Sequence, residues 1–424
     1  MRLILFISLF FLIFNNANLF SQDIKFAHKI ISEISSSKYA GRGYSENGDS
    51  LTAFYIIDLL KKNKIESFDN SYTQNFNISV NTFHNNISLK LNGNSLIPGL
   101  EYLVSSSSNT IKGKFPVIVM NYELMNYPEK LQLISKDSIE KSFLLIDTFY
   151  VKNKGFKDAA DDIIKYNLFN AKGIIETEYK NLMYIPSQTA DKFPRVKILK
   201  GAIPDSLKFI DIEIENDYKN SYNTRNIIGY IHGEIDSFIV FSAHYDHLGQ
   251  MGKDVYFPGA NDNASGVALV LDMAKYFSKN SKKLKYSIAF IFFSGEELGL
   301  LGSSEYVKNP KFPLEKIKFL INLDMVGSGE KGIKVVNATE FTSEFELLKK
   351  INAKNNYLPE IYVRGPAANS DHYPFYKNGV KSFFIYTLGE YSEYHNIYDK
   401  SESLPLNKYE ALFKLLVNFS NQLN

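Results

Sequence analysis

Cysteine is absent from all 424 residues of this chain. That excludes disulfides, thiolate metal sites, cysteine nucleophiles and lipid attachment at a thiol, so stability must come from packing and from any bound metal. An excess of either charge is missing too: 48 Lys and Arg stand against 46 Asp and Glu, for a net charge of +2. No basic stripe points to nucleic acid, and no large field points to a membrane surface. Long apolar runs are also scarce. The one near the start, Leu3 to Phe14, is twelve residues, short of the roughly 20 needed to span a bilayer. No internal repeat or low-complexity tract is present. What remains is ordinary globular material, 45% hydrophobic and 22% charged, in a chain long enough for two domains.

The organising stretch runs from Phe238 to Asp324. It holds FIVFSAHYDHLG, FPGANDNASG, IAFIFFSGEELG and FLINLDMVG in that order. Three apolar runs rich in Ile, Val and Phe each stop at an acidic or His-bearing turn. Uninterrupted runs of this kind are strands buried on both faces of a largely parallel sheet. Ligand sites in open α/β sheets form outside the carboxyl ends of such strands, which brings His244, Glu296, Glu297 and Asp324 together despite their separation in sequence. Carboxylate oxygen and imidazole nitrogen are donors for hard and borderline divalent ions. Asp262 adds a carboxylate just before the apolar helical pattern Ala264, Val267, Ala268, Leu271, Ala274 and Phe277, where the helix dipole favours its ionised form. His395, in EYHNIYDK, is the natural late imidazole. Any one of these acids alone reads as a helix cap or a solvated loop residue; the set in this order does not.

AHYDH, PGANDNASG, FFSGEELGLLGS, INLDMVG, SDHYPF and YHNIYDK resemble the consecutive signatures of family 28 of the metallopeptidases, the di-zinc aminopeptidase type. The resemblance implies a three-layer α/β sandwich with a mixed, largely parallel sheet, two zinc ions per chain and peptide substrates. It implies that His244, Asp262 and Asp324 hold one ion and Asp262, Glu297 and His395 the other, with Asp262 as the bridge. Glu296 is implied as the general base and Asp246 as the carboxylate that orients His244; Asp399 is expected to do the same for His395. Where the family has Thr after its last His, this chain has Asn396. Two rivals stay open at this point, a glutaminyl-cyclase-like aminoacyltransferase and a non-catalytic receptor or binding module on the same fold.

Residues 1–21 have an early Arg, an apolar run and a small residue at Ser21, the plan of a signal peptide cut near Gln22, so export to the periplasm or beyond is expected. Helical spacing recurs at Ala27, Ile30, Ile31 and Ile34 and again from Ala53 to Leu60, around the loop KYAGRGYSENG. Arg42 in that loop is read as a surface salt-bridge partner, with substrate binding as the alternative, and His28 as a helix-surface histidine. From about Val80 to Tyr218, short alternating runs such as ISLKLNG, FPVIVMNY and RVKILKG give the rhythm of a β-rich module. NLFNAKGIIETE there is similar to the protease-associated domain that many exported members insert, and an elaborated lobe of the catalytic domain is the alternative. The expected layout is therefore 22–79 with 219–424 as the catalytic domain and 80–218 as the insert. NTRNIIGYIHGE at 223–234 is expected as an edge strand. Gly259 and Gly266 are expected to allow close backbone approach. Ser370, Asp371 and His372 resemble the family's loop near the site, which implies polar contacts to the substrate or the oxyanion, with a structural role for His372 as the alternative. His247 is expected behind the ligands or at the surface.

Overall fold

This computed structural model describes residues 24–120, 124, 134–149 and 152–423; the export pattern at 1–21 lies outside them. Among the described residues there are two eight-stranded sheets and one two-stranded hairpin. The main sheet consists of β1 (Thr73–Thr82), β2 (Asp217–Ile231), β3 (Ile235–His244), β4 (Tyr286–Phe293), β5 (Ile317–Leu323), β6 (Gly332–Val336), β7 (Ile361–Val363) and β8 (Ser382–Leu388), in the order β1-β2-β4-β3-β5-β8-β6-β7. The central strands β4, β3, β5 and β8 run parallel. β1, β2 and β6 pair antiparallel to their neighbours towards the centre, and β7 is parallel to β6. The mixed, largely parallel sheet read from the sequence is thus present.

The uninterrupted apolar runs are explained by burial on both faces. Ile239, Phe241 and Ala243 of β3 face one side with Ile288, Phe290 and Phe292 of β4. Phe238 and Val240 face the other with Ala289, Ile291 and Phe293. Burying one such Phe or Ile contributes about 1.5–3 kcal/mol, and the few polar side chains buried among them are paired, as Ser242 is with Asn322 at 2.9 Å. The first face is covered by helices α1 (Ile24–Ile34), α2 (Gly48–Lys62), α3 (Gly266–Lys279), α5 (Thr342–Asn355) and α7 (Tyr409–Gln422). On the second face, Tyr306 of α4 (Leu301–Lys308) and Phe375 of α6 (His372–Lys377) close the core. The result is three layers.

β2 corrects one expectation. It is not an edge strand, because β1 pairs along it on one side and β4 on the other. Its Thr224 and Asn226 are fully buried, and Asn226 is satisfied by Gln74 at 2.9 Å and the Gly302 carbonyl at 2.8 Å.

The second sheet is built from residues between Ile87 and Ile214. Ile111–Met120, Phe143–Ile146, Gly173–Glu178 and Arg195–Leu199 run successively parallel within it. The helix Lys154–Tyr166 makes one crossover. The lobe has its own core, but Leu248, Met251 and Phe257, which follow β3, insert into that core beside Leu103, Tyr184 and Val196. The chain leaving the main sheet therefore anchors the lobe before it returns to Asp262.

Candidate metal centre

Three parallel strands deliver the donors to one edge of the sheet. His244 is the last residue of β3, Asp324 follows the last residue of β5, and Glu296 and Glu297 lie in the turn just after β4. Asp262 sits in an irregular turn, Ala260–Ser265, ahead of α3. His395 comes from the segment after β8, at a positive φ of 52°. The structure brings all of them together. His244 Nε2 is 3.3 Å from Asp262 Oδ1 and 3.3 Å from Asp324 Oδ1. His395 Nε2 is 3.1 Å from Asp262 Oδ2 and 3.0 Å from Glu297 Oε2. Asp262 thus presents one oxygen to each imidazole. Glu296 lies within reach of the His244 and Asp324 donors, the three ligand atoms falling within 4.8 Å of one another.

The supporting shell differs in part from the sequence reading. The His244 Nδ1 edge faces Asp246, but the close acceptor is that residue's backbone carbonyl at 3.2 Å, with carboxylate Oδ1 at 3.7 Å. The Asp246 carboxylate chiefly holds the β4 turn. It accepts from the Glu296 and Glu297 N–H groups at 3.3 and 3.4 Å and from the Tyr44 hydroxyl at 2.7 Å. Tyr44 also accepts the Gly295 N–H at 2.9 Å. Asp399 does not reach His395. Its oxygens take the Asn261 and Asp262 N–H groups at 2.8 and 3.0 Å, while His395 Nδ1 has no partner among the described residues. Ser370 donates to Asp324 Oδ2 at 2.8 Å and is itself held by Asn322. Asp371 and His372 are fully buried nearby.

Two further residues pack behind the donors, His247 at one of its two expected positions and Arg42 at neither of its own. His247 is 1% exposed, and its Nδ1 lies 2.7 Å from Glu297 Oε1. Arg42 is neither at the surface nor in the cleft: it is fully buried and donates to the carbonyls of Ile34, Tyr245, Pro258, Gly259 and Asp262 at 2.7–3.3 Å. A loop Arg beside glycines carries no mark of this, although five carbonyls suit a guanidinium with five donors. Gly259 permits the crossing. At its φ of 58°, a Cβ would strike the Asp262 carbonyl, the His247 ring and the Arg42 guanidinium. His28 is exposed, as expected.

The electrostatics ask for positive charge. Burial disfavours the His244 cation, yet the Asp324 and Glu296 charges outweigh it and hold its pKa well above the ordinary value. Burial likewise opposes charge on His395, but Glu297 and Asp262 lift its pKa to about 11. Glu297 is pushed down to about 2 as His395 and His247 overcome its burial and the repulsion of Asp262. Glu296 goes the other way: burial, reinforced by Asp371 and Asp324 against the opposing His244, raises it well above the usual carboxylate range.

Distances test whether a cation fits. A charge-assisted N–H···O contact closes to about 2.7–2.9 Å, as His247 and Glu297 do at 2.7 Å. The contacts within the donor set are longer, 3.0–3.3 Å. Ligands at about 2.0–2.1 Å from a tetrahedral zinc would lie roughly 3.3 Å apart. The donor set fits divalent cations.

A three-layer α/β fold thus brings imidazoles and carboxylates together at its parallel strand ends, in groups that could hold a metal ion. Residues 226–420 match the model of peptidase family M28. The chain is 30% identical over 179 residues to a probable leucine aminopeptidase of Trichophyton verrucosum, covering 40% of this chain and 47% of that protein. It is 34% identical over 174 residues to aminopeptidase YwaD of Bacillus subtilis, covering 39% and 36%. The chain thus spans about half or less of the curated relatives it matches. Across the whole fold it is similar to BSAP, a zinc aminopeptidase from Bacillus subtilis, with a TM-score of 0.69 at 22% identity over 93% of this chain and 95% of that one. An aminopeptidase from Aneurinibacillus sp. strain AM-1 gives 0.64 at 18% identity over 95% and 94%.

Proposed function

We propose that this chain is an exported zinc-dependent aminopeptidase that removes N-terminal residues from peptides, with two zinc ions per chain. The observation that carries the reading is Asp262, whose two oxygens each meet a different imidazole while a second carboxylate meets that imidazole too. His244, Asp262 and Asp324 would hold one ion, and Asp262, Glu297 and His395 the other. The family segment 226–420 contains all five donors and Glu296. The names of the curated relatives support the peptide substrate.

Bound zinc supplies Lewis acidity at the scissile carbonyl and lowers the pKa of a water towards about 7. Glu296 takes a proton from the attacking water at a carboxylate oxygen and returns it to the leaving amine. Asp246 fixes the turn on which Glu296 and Glu297 diverge. Ser370 fixes the direction of Asp324. Export is supported by the charged start, apolar run and small Ser21 of residues 1–21. Amino-terminal sequencing of the exported fraction should begin near Gln22, and an intact Met1 there would refute it.

The decisive test separates two neighbours of identical chemistry. Glu296→Gln should lower kcat by about 10²–10⁴ with two zinc ions retained, whereas Glu297→Gln should lose zinc and activity together. The reverse pattern would exchange the roles. If both variants stayed fully active, these roles would fall, and a zinc-loaded wild type without turnover would make a binding module the better description. Cyclisation of an N-terminal Gln without peptide hydrolysis would favour an aminoacyltransferase.

A further inference from the structure

A cleft of about 290 Å³ opens over the centre, and one wall of it takes no part in the chemistry above. Arg364 stands on that wall directly after β7, together with Asn369, Phe384 and Tyr386. Its backbone is tied on both sides, N–H to the Val335 carbonyl at 2.9 Å and carbonyl to the Ala338 N–H at 3.1 Å. The partly buried guanidinium donates one hydrogen bond, from Nη1 to the Tyr386 hydroxyl at 3.0 Å, and forms no ion pair among the described residues. By contrast, Arg195 in the second lobe lies 2.9 Å from Asp191.

The charges facing this arginine across the cleft are spoken for. Asp262, Glu297 and Asp324 belong to the metal centre, and Glu296 is the proposed base. A rooted, partly desolvated guanidinium with free donors favours a carboxylate brought by the ligand, which it can grip through two parallel bonds. Phe384 and Tyr386 are two apart on β8 and so share one face of it. They give the cleft an apolar floor for a short methylene stem.

We propose that Arg364 is a specificity-determining residue that binds a carboxylate of the substrate close to the scissile bond. This rests on the aminopeptidase reading and narrows it to substrates that carry a carboxylate near the scissile bond. The carboxylate has two possible sources, the side chain of an N-terminal Glu or Asp and the free C-terminus of a dipeptide.

The experiment uses the full zinc-loaded chain. kcat/KM is measured for the p-nitroanilides of Glu, Gln and Leu, and for Leu-Gly against Leu-Gly-amide, in wild type, Arg364→Gln and Arg364→Lys. A carboxylate gripped by Arg364 should give the acidic member of one pair an advantage of about 10–100-fold. That ratio should fall to near one in Arg364→Gln and partly recover in Arg364→Lys. The pair that shows it identifies the source. Calorimetry with free glutamate and glutamine, or with Leu-Gly and its amide, should show the same preference without turnover. Tyr386→Phe, which removes the guanidinium's one acceptor, should weaken the ratio severalfold and covers an Arg364 variant that fails to fold. No preference in either pair, or a preference that survives Arg364→Gln, overturns the assignment while leaving the aminopeptidase reading intact. If wild type hydrolyses none of these substrates, that reading falls and the assignment with it.

Discussion

Single residues behind the ligands decide how well the centre is held. His247 grips the Glu297 oxygen that faces away from His395. Removing such an outer partner commonly lowers metal affinity by about 10–100-fold. His247→Phe keeps an aromatic ring and loses the bond, so a competitive zinc titration should show a drop in that range. Arg42 makes a sharper case. Its five carbonyl partners are buried, and leaving a buried acceptor unsatisfied costs about 1–3 kcal/mol each, with incomplete additivity. Arg42→Met should therefore destabilise the protein by more than about 3 kcal/mol in urea denaturation. It should also loosen zinc, because one of those carbonyls belongs to Asp262 itself.

At the scale of elements, legibility in sequence followed burial. β3, β4 and β5 were readable because both faces are apolar, and their donors could be placed because parallel strands end at one edge. β1 was not. Its TQNFNISVNT mixes Asn, Gln and Thr with apolar residues at a sheet edge, and that pattern resembles the runs of the second lobe as much as it does the main sheet. Missing β1 is also why β2 looked like an edge. Among the candidate site residues, the proposed donors stand out by their order at strand ends, whereas Arg42 and Tyr44 make long-range contacts that leave no local pattern. The packing argument can be tested on β3. Phe241 is fully buried, with the Phe277 and Phe290 ring centroids 5.9 and 6.4 Å away. Phe241→Ala should cost about 3–5 kcal/mol, read as a fall in the denaturation midpoint without a change in slope. A loss below about 1 kcal/mol would mean that this layer is not close-packed.

At the scale of the whole molecule, the two lobes meet beside the candidate metal centre. Leu248, Met251 and Phe257, between His244 and Asp262, lie in the core of the second lobe. From that lobe, Tyr184 stacks on Phe257 with centroids 5.0 Å apart and gives its N–H to the His395 carbonyl at 3.0 Å, while Gln188 donates to the Leu298 carbonyl at 2.7 Å. Segments carrying His244, Asp262, Glu297 and His395 are thus each fastened directly or within a few residues to the lobe. Zinc at a hundredfold excess over its Kd stabilises the native state by about 2.7 kcal/mol, several degrees in Tm for a chain of this size. Calorimetry of the wild type should show one transition that moves down as a whole when zinc is chelated. Phe257→Ala removes the central contact at a cost of about 3–5 kcal/mol and should split the trace, leaving a transition of the second lobe that zinc no longer shifts. Two transitions already present in the wild type, with only one responding to zinc, would show that the lobes unfold independently and that the Tyr184 to His395 tie carries no coupling.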